Sequence, residues 1–272
     1  MEYALITHRD DPRMDPFRSL RDSERRFLRP PPHGARDVPC FVVEGGLVTG
    51  RALAAGYTPL AIAVDRRVAS GLAWTTDPAL PVVVADQALI QQVTGLGVIR
   101  EAVAIFARPP ERDAGELLAH AQRVLVVEGV VNPLNLGVIV RSAAALGVDG
   151  TLFDRSSSDP LYRRAVRGSM GAVLTHPWAR IGALPAGLEM VLQAGFAVLA
   201  LVADPAAVSL GTALRTAGPR VALVLGTEGH GISPEARAAA DTQVTLPMAP
   251  GVDSLNVGAA AAVACYLLGA VS

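Results

Sequence analysis

The chain has 272 residues, room for one large domain or two ordinary ones, and half of it is hydrophobic, which suffices for a sizeable core. Aromatic residues make up only 4%, so that core has to be built mainly from Ala, Val and Leu. A formal net charge of −1 excludes a global electrostatic pull toward nucleic acid, so any such site must be a local patch.

Residues 1–37 are polar and mixed in charge and read as an N-terminal arm, with a short helix in "PFRSLRDSERRFL" stopped at Pro30–Pro32. "MEYALITHRDDPRMD" has no apolar stretch of the kind a secretory signal needs. From Cys40 the pattern becomes regular. "CFVVEGG", "PLAIAVD", "PVVVAD" and "EAVAIFARP" read as strands, and "GLVTGRALAAG" and "QALIQQVTG" as helices, the first with Gly56 just past its end. Residues 38–108 are therefore predicted to be a small α/β module. Residues 109–120 read as a linker with a short helix, opening on Pro109–Pro110.

A second α/β series occupies 121–272. Its predicted strands are "RVLVVEGV", "GTLFD", "FAVLALVAD", "RVALVLG" and "QVTLPM", with a helix after "NPLNLG", another at "LEMVLQAG" and a last one at "SLNVGAAAAVACYLLGA". The apolar run Val257–Val271 falls short of the ~20 residues that span a bilayer, so a buried C-terminal helix is expected and no membrane partner. Cys40 and Cys265 form neither a metal-ligand pattern nor a disulfide framework, which points to a reducing cytoplasm and to no metal. All the basic side chains counted are arginine, whose planar fork suits phosphate.

In a parallel sheet, ligands gather at the carboxyl ends of strands. Three strand ends are unusual here: "NPLNLG", "GTEGHGIS" and "PMAPGVDSLN". Their glycine-dense turns let a flat ligand approach bare main-chain groups, as an adenine or nucleoside would require. The spacing Gly226, Gly229, Gly231 is not the dinucleotide fingerprint, which disfavours a nicotinamide enzyme. His230 lies in this glycine loop, within reach of a ligand. Arg141 interrupts an apolar helix. Buried and unpaired, it would cost on the order of 3–5 kcal/mol, so a carboxylate (Glu228) or an incoming phosphate is expected to meet it. "DPLYRRAVRGSMGAV" groups Arg163, Arg164 and Arg167 with Tyr162, a set able to hold phosphates and stack on a base.

The three blocks, in this order, resemble the SpoU/TrmH branch of the SPOUT class of S-adenosylmethionine-dependent RNA 2′-O-ribose methyltransferases. The first, "NPLNLGVIVRSAAALG", carries Asn135 and Arg141; the second, "LGTEGHGIS", carries Glu228; the third, "LPMAPGVDSLNVG", carries Ser254 and Asn256. The likeness is strong over 121–272 and looser over 38–108. It departs at Leu146, Thr227 and Gly258, where the family often has Phe, Ser and Ser.

The resemblance implies a parallel α/β domain with a deep trefoil knot, an RNA-binding module before it, and a homodimer. It implies main-chain contacts to S-adenosylmethionine along Leu225, Gly226, Thr227, Gly229, Ile232, Leu246, Met248, Ser254 and Leu255. It also implies catalytic roles for Asn135, Arg141, Glu228, Ser254 and Asn256. The family role for the arginine at Arg141 is general base; a guanidinium that stays cationic and stabilises the developing alkoxide is the physical alternative. Large-subunit ribosomal RNA is the favoured substrate. A tRNA methyltransferase, a non-catalytic RNA-binding assembly factor and a small-molecule methyltransferase are the competing readings.

Overall fold

The computed structural model describes residues 5–18, 20, 26–28, 38–72, 80–97 and 99–269. The chain divides into two units, Met1–Pro110 with Leu161–Arg167, and Glu111–Pro160 with Gly168–Ser272.

The first unit contains β1 (Leu5–Ile6), β2 (Arg26–Leu28), β3 (Val38–Glu44), α1 (Gly46–Ala54), β4 (Pro59–Asp65), β5 (Val82–Ala85), α2 (Gln87–Thr94) and β6 (Ala102–Ala107). The strands form one mixed sheet in the order β1-β5-β4-β6-β3-β2. β3 and β4 run antiparallel to β6, and β5 runs parallel to β4. The expected arm is corrected here. Leu5–Ile6 pairs with β5, Arg26–Leu28 pairs with β3, and a 3-10 turn spans Pro12–Phe17. Met14, Phe17 and Leu20 are buried in the same core as Ile90, Val103 and Ile105. The helix expected over 16–28 is replaced at Arg26–Leu28 by strand, and 19 and 21–25 lie outside the described residues.

The second unit begins with α3 (Ala114–His120), the short helix expected in 109–120: Asp113 caps it by accepting from the Glu116 amide, and Ala114, Leu117 and Leu118 enter the core. There follow β7 (Arg123–Val127), α4 (Pro133–Ala145), β8 (Gly150–Phe153), β9 (Trp178–Arg180), α6 (Ala186–Gln193), β10 (Ala197–Leu201), β11 (Val208–Ser209), α7 (Leu210–Leu214), β12 (Val221–Leu225), α8 (Pro234–Ala239), β13 (Thr242–Thr245) and α9 (Val257–Gly269); between β8 and β9 the chain also forms α5 (Arg163–Gly168), all but the last residue of which belongs to the first unit. The seven-stranded sheet has the order β11-β13-β10-β12-β7-β8-β9, and every pairing in it is parallel.

β7 and β12 are apolar runs with Val124–Val127 and Val221–Leu225 fully buried, as strands covered on both faces require. From β7 the chain steps out one way to β8 and β9, and from β12 it continues the other way to β13. The sheet order therefore reverses between β7 and β12, the kind of point at which an open parallel sheet offers its carboxyl ends to a ligand. The approach of α9 to α4 depends on Gly258, where a Cβ would lie 2.8 Å from Val138 Cγ1. The departure from the family's Ser thus has a packing reason. His176 is buried against Thr151, with Nε2 2.9 Å from the hydroxyl, and burial pushes its pKa down to about 4 against the pull of Asp149.

Candidate functional site

At the reversal point between β7 and β12, loops from three distant parts of the second unit meet on one carboxylate. Glu228, just past β12, accepts at Oε1 from Asn135 Nδ2 (2.6 Å) and from Asn256 Nδ2. The two asparagines also approach each other, with Asn256 Nδ2 3.5 Å from Asn135 Oδ1. Each is held by helix capping. Asn132 caps α4 by accepting from the Leu134 amide, and Pro133 opens the helix, so Asn135 projects from its first turn. Asn256 caps α9, its Oδ1 accepting from the amides of Gly258 (2.9 Å) and Ala259 (3.4 Å). The cap and the Glu228 contact use opposite ends of one amide, so the helix terminus orients the group presented to the carboxylate.

The glycine loop between β12 and α8 closes on itself. Thr227 and Gly231 exchange two main-chain hydrogen bonds of 3.0 and 3.1 Å. A Cβ at Gly226 would sit 2.1 Å from the Gly231 carbonyl carbon, so only glycine fits there. Glu128, at the end of β7, grips the far end of the loop, accepting from Ser233 N (2.8 Å) and Ser233 Oγ (2.6 Å).

This loop walls a cavity of about 500 Å³ at the carboxyl ends of β10, β12 and β13. The volume is within the ~300–1,000 Å³ of ordinary small-molecule sites. The lining includes every residue expected to touch a cofactor: Leu225, Gly226, Thr227, Gly229, Ile232, Leu246, Met248, Ser254 and Leu255. Glu228 and Asn256 also line it, as does His230. Sequence reasoning missed Leu201–Asp204, which leave β10, and Arg237 on α8. The signal was present for the former, because "FAVLALVAD" reads as a strand running to Asp204, so its carboxyl end belongs with the other strand ends.

Arg141 departs from expectation. It stands in the third turn of α4 and is exposed. The buried face of α4 is Leu136, Ile139, Val140 and Ala143, and position 141 falls off that stripe. Glu228 is not its counter-ion: its Oε1 accepts from the two asparagines, and no ion pair joins it to Arg141 among the described residues. Among the described residues the Arg141 guanidinium makes no hydrogen bond or ion pair. The expected buried charge is instead a solvent-facing cation, free to meet an anion.

The arginine cluster is also revised. Arg163, with its side chain 16% exposed, is bonded to the buried carboxylate of Glu44, and Arg167 reaches the same group at 3.3 Å. Both belong to the first unit, as does Glu44. Arg163 is consumed in satisfying that buried charge, whereas Arg164 is exposed and Tyr162 half-buried.

A second carboxylate knot lies at the end of β8. Asp154, 3% exposed, accepts at Oδ1 from Gly129 N (3.0 Å), Ser157 N (2.9 Å) and Ser157 Oγ (2.6 Å), and at Oδ2 from Ser156 Oγ. Burial opposes its ionisation, but these donors outweigh burial and hold its pKa below the ordinary carboxylate value. Among the described residues no group of three or more His, Cys, Asp or Glu is placed to hold a metal.

A family model described as the SpoU rRNA Methylase family matches residues 122–266. The chain belongs to that family. It is 39% identical over 259 residues to an uncharacterized tRNA/rRNA methyltransferase of Mycobacterium tuberculosis, covering 94% of this chain and 88% of the relative. A Synechocystis tRNA/rRNA methyltransferase, also uncharacterized, is 35% identical over 147 residues, covering 54% of this chain and 53% of that protein. Among solved structures, an AdoMet-bound rRNA methyltransferase from Sinorhizobium meliloti superposes with TM-score 0.71 at 25% identity, covering 84% and 86% of the two chains. An RNA 2′-O ribose methyltransferase superposes with TM-score 0.74 at 25% identity, covering 97% of each.

Proposed function

We propose that this protein is an RNA 2′-O-ribose methyltransferase that uses S-adenosylmethionine, with ribosomal RNA favoured over tRNA as its substrate. The observation that carries the reading is the meeting of Asn135, Glu228 and Asn256 beside a glycine-walled cavity at the carboxyl ends of a parallel sheet. Family membership and relatives named as tRNA/rRNA methyltransferases support it.

The cavity suits the donor. Its glycine loop exposes main-chain donors and acceptors for a purine edge, and Leu225, Leu246, Met248 and Leu255 offer apolar walls. When bound, S-adenosylmethionine supplies an electrophilic methyl group on a sulfonium. This chain's residues do the rest. The loop Gly226–Ile232 and Ser254–Leu255 hold the donor. Glu228 fixes the amides of Asn135 and Asn256, which position the ribose. Arg141, exposed and unpaired among the described residues, takes an RNA phosphate and stabilises the alkoxide as the 2′-hydroxyl loses its proton to solvent. Alignment of hydroxyl and methyl accounts for much of the acceleration.

In this reading Arg164 and Tyr162 contact RNA, with Arg167 in part, and Arg163 serves Glu44. The protein acts as a cytoplasmic homodimer whose C-terminal segment is threaded as a knot. Exposed Val263 and Tyr266 on α9 and Leu134 on α4 support an apolar partner surface, and no helix among the described residues is long and apolar enough to cross a membrane.

The test is to map 2′-O-methyl positions in RNA from cells with and without the protein, and to assay Arg141→Ala. Loss of one ribosomal RNA mark is expected, together with a transfer rate about 10²- to 10³-fold lower and unchanged donor binding. Unchanged turnover in Arg141→Ala would refute its role, and a missing tRNA mark would move the substrate to tRNA.

A further inference from the structure

The charged side chains lining the cavity are Asp204, Glu228 and Arg237, with His230 beside them. Glu228 is committed to two asparagines. Asp204 meets no side-chain donor among the described residues: its Oδ1 accepts from the Ala206 amide (2.9 Å) in a tight turn. The residue follows β10, which sits between β13 and β12, so it enters the cavity at the middle of three strand ends. We infer that Asp204 is the residue that recognises the ribose hydroxyl pair of the nucleoside donor, and so sets the cavity's preference for a ribonucleoside. This rests on the proposed reading of the cavity as the donor site.

Two arguments select the hydroxyls over the other donor groups. The reacting methyl has to face the side where Asn135, Glu228 and Asn256 meet, at β12 and β7. The sheet order places β10 on the other side of β12, so the adenosyl half lies toward Asp204. A carboxylate is also the usual partner of vicinal ribose hydroxyls in nucleotide sites, because its paired oxygens accept from both. The main-chain groups of the glycine loop have no such charge and read the purine equally well with or without a diol.

The experiment is calorimetric titration of the wild-type chain, Asp204→Asn and Asp204→Ala with three probes: S-adenosylhomocysteine, 5′-methylthioadenosine and 2′-deoxy-5′-methylthioadenosine. Asp204→Asn keeps the Oδ1 acceptor for the Ala206 turn, which separates recognition from local folding. For both variants S-adenosylhomocysteine is expected to bind about ten- to a hundredfold more weakly, with the smaller loss in Asn. 5′-Methylthioadenosine, which lacks the amino-acid arm, is expected to lose the same factor, and the deoxy probe to show little difference between wild type and variants. Equal binding of S-adenosylhomocysteine by wild type and variants would overturn the inference while leaving the donor reading intact. A loss confined to S-adenosylhomocysteine would also overturn it, because Asp204 would then serve the ammonium group. Failure of the wild-type chain to bind any probe would overturn the donor reading itself and this inference with it.

Discussion

Two carboxylates stand at the carboxyl edge of the same parallel sheet, and they are built differently. Asp154 is 3% exposed and fed by two backbone amides and two serine hydroxyls, all from the turns that follow β7 and β8. Glu228 is exposed and fed by two side-chain amides from α4 and from the cap of α9. A buried ion surrounded by local donors stabilises the fold, because removing it strands the donors. An exposed ion fed by side chains from far along the chain contributes little to stability, and its arrangement is explained by what it presents to a ligand. The contrast therefore separates scaffold from chemistry on one edge of one sheet.

The largest effect that would break or sharpen this contrast is expected at Asp154. In Asp154→Ala the Gly129 and Ser157 amides and two hydroxyls lose a charged acceptor, at a cost on the order of 4 kcal/mol. Urea unfolding of the full chain measures it. A loss below about 1 kcal/mol would place Asp154 beside Glu228 as a functional group and remove the distinction.

Next comes acid. His176 belongs to the scaffold side, buried and neutral, with its pKa depressed from 6.5 to about 4. Protonation then favours the unfolded chain, so its contribution is complete above about pH 6.5 and is lost as pH falls toward about 4, by roughly 3 kcal/mol. Asp154 acts lower: its depressed pKa gives stability that is full above its ordinary value of 3.8 and lost as pH falls through its folded-state pKa. Two separate acid phases are expected in unfolding free energy against pH, and His176→Gln should abolish only the upper one. Persistence of the upper phase in that variant would remove His176 from the scaffold.

Much of the scaffold was legible in the sequence. The buried strands Arg123–Val127 and Val221–Leu225 are continuous apolar runs, and the Asn and Gly residues after them mark strand ends. Three features were hidden or misjudged. Met14, Phe17 and Leu20 look like scattered residues of a polar arm because their burial depends on a sheet formed much later in the chain. Arg141 reads as a core residue from the apolarity of its neighbours, although the spacing of Leu136, Ile139, Val140 and Ala143 leaves position 141 off the buried stripe. The partners of Glu228 could not be read at all, since the pairing with Asn135 and Asn256 is made by tertiary convergence across the sheet's reversal point.

Asn256 spans the two categories, so Asn256→Ala is expected to show both effects at reduced size. Loss of the α9 cap costs ~1 kcal/mol, and Glu228 keeps only Asn135, which lowers methyl transfer about tenfold and weakens donor binding. Asn256→Asp separates the two: it retains a capping oxygen, so stability returns, but it sets a carboxylate against Glu228, so transfer stays low. Recovery of transfer in the Asp variant would show that only the cap matters.

The smallest stability change, and the sharpest test, is Glu228→Gln. Glutamine keeps the Oε1 acceptor and the side-chain length but removes the charge that aligns both asparagine amides. Because the group is exposed, unfolding free energy should stay within ~0.5 kcal/mol of the parent. Turnover should nevertheless fall about tenfold at saturating donor, with the donor dissociation constant nearly unchanged, since an interaction used to orient the acceptor acts on the transfer step and not on donor affinity. The matching change on the other side, Asp154→Asn, keeps an oxygen for the three donors at Oδ1 but removes the buried charge they meet and turns an NH2 toward the Ser156 hydroxyl, and should destabilise by several times more. If the two isosteric replacements lost stability equally, or if Glu228→Gln lost stability and kept its turnover, exposure and donor origin would no longer distinguish chemistry from scaffold at this sheet edge.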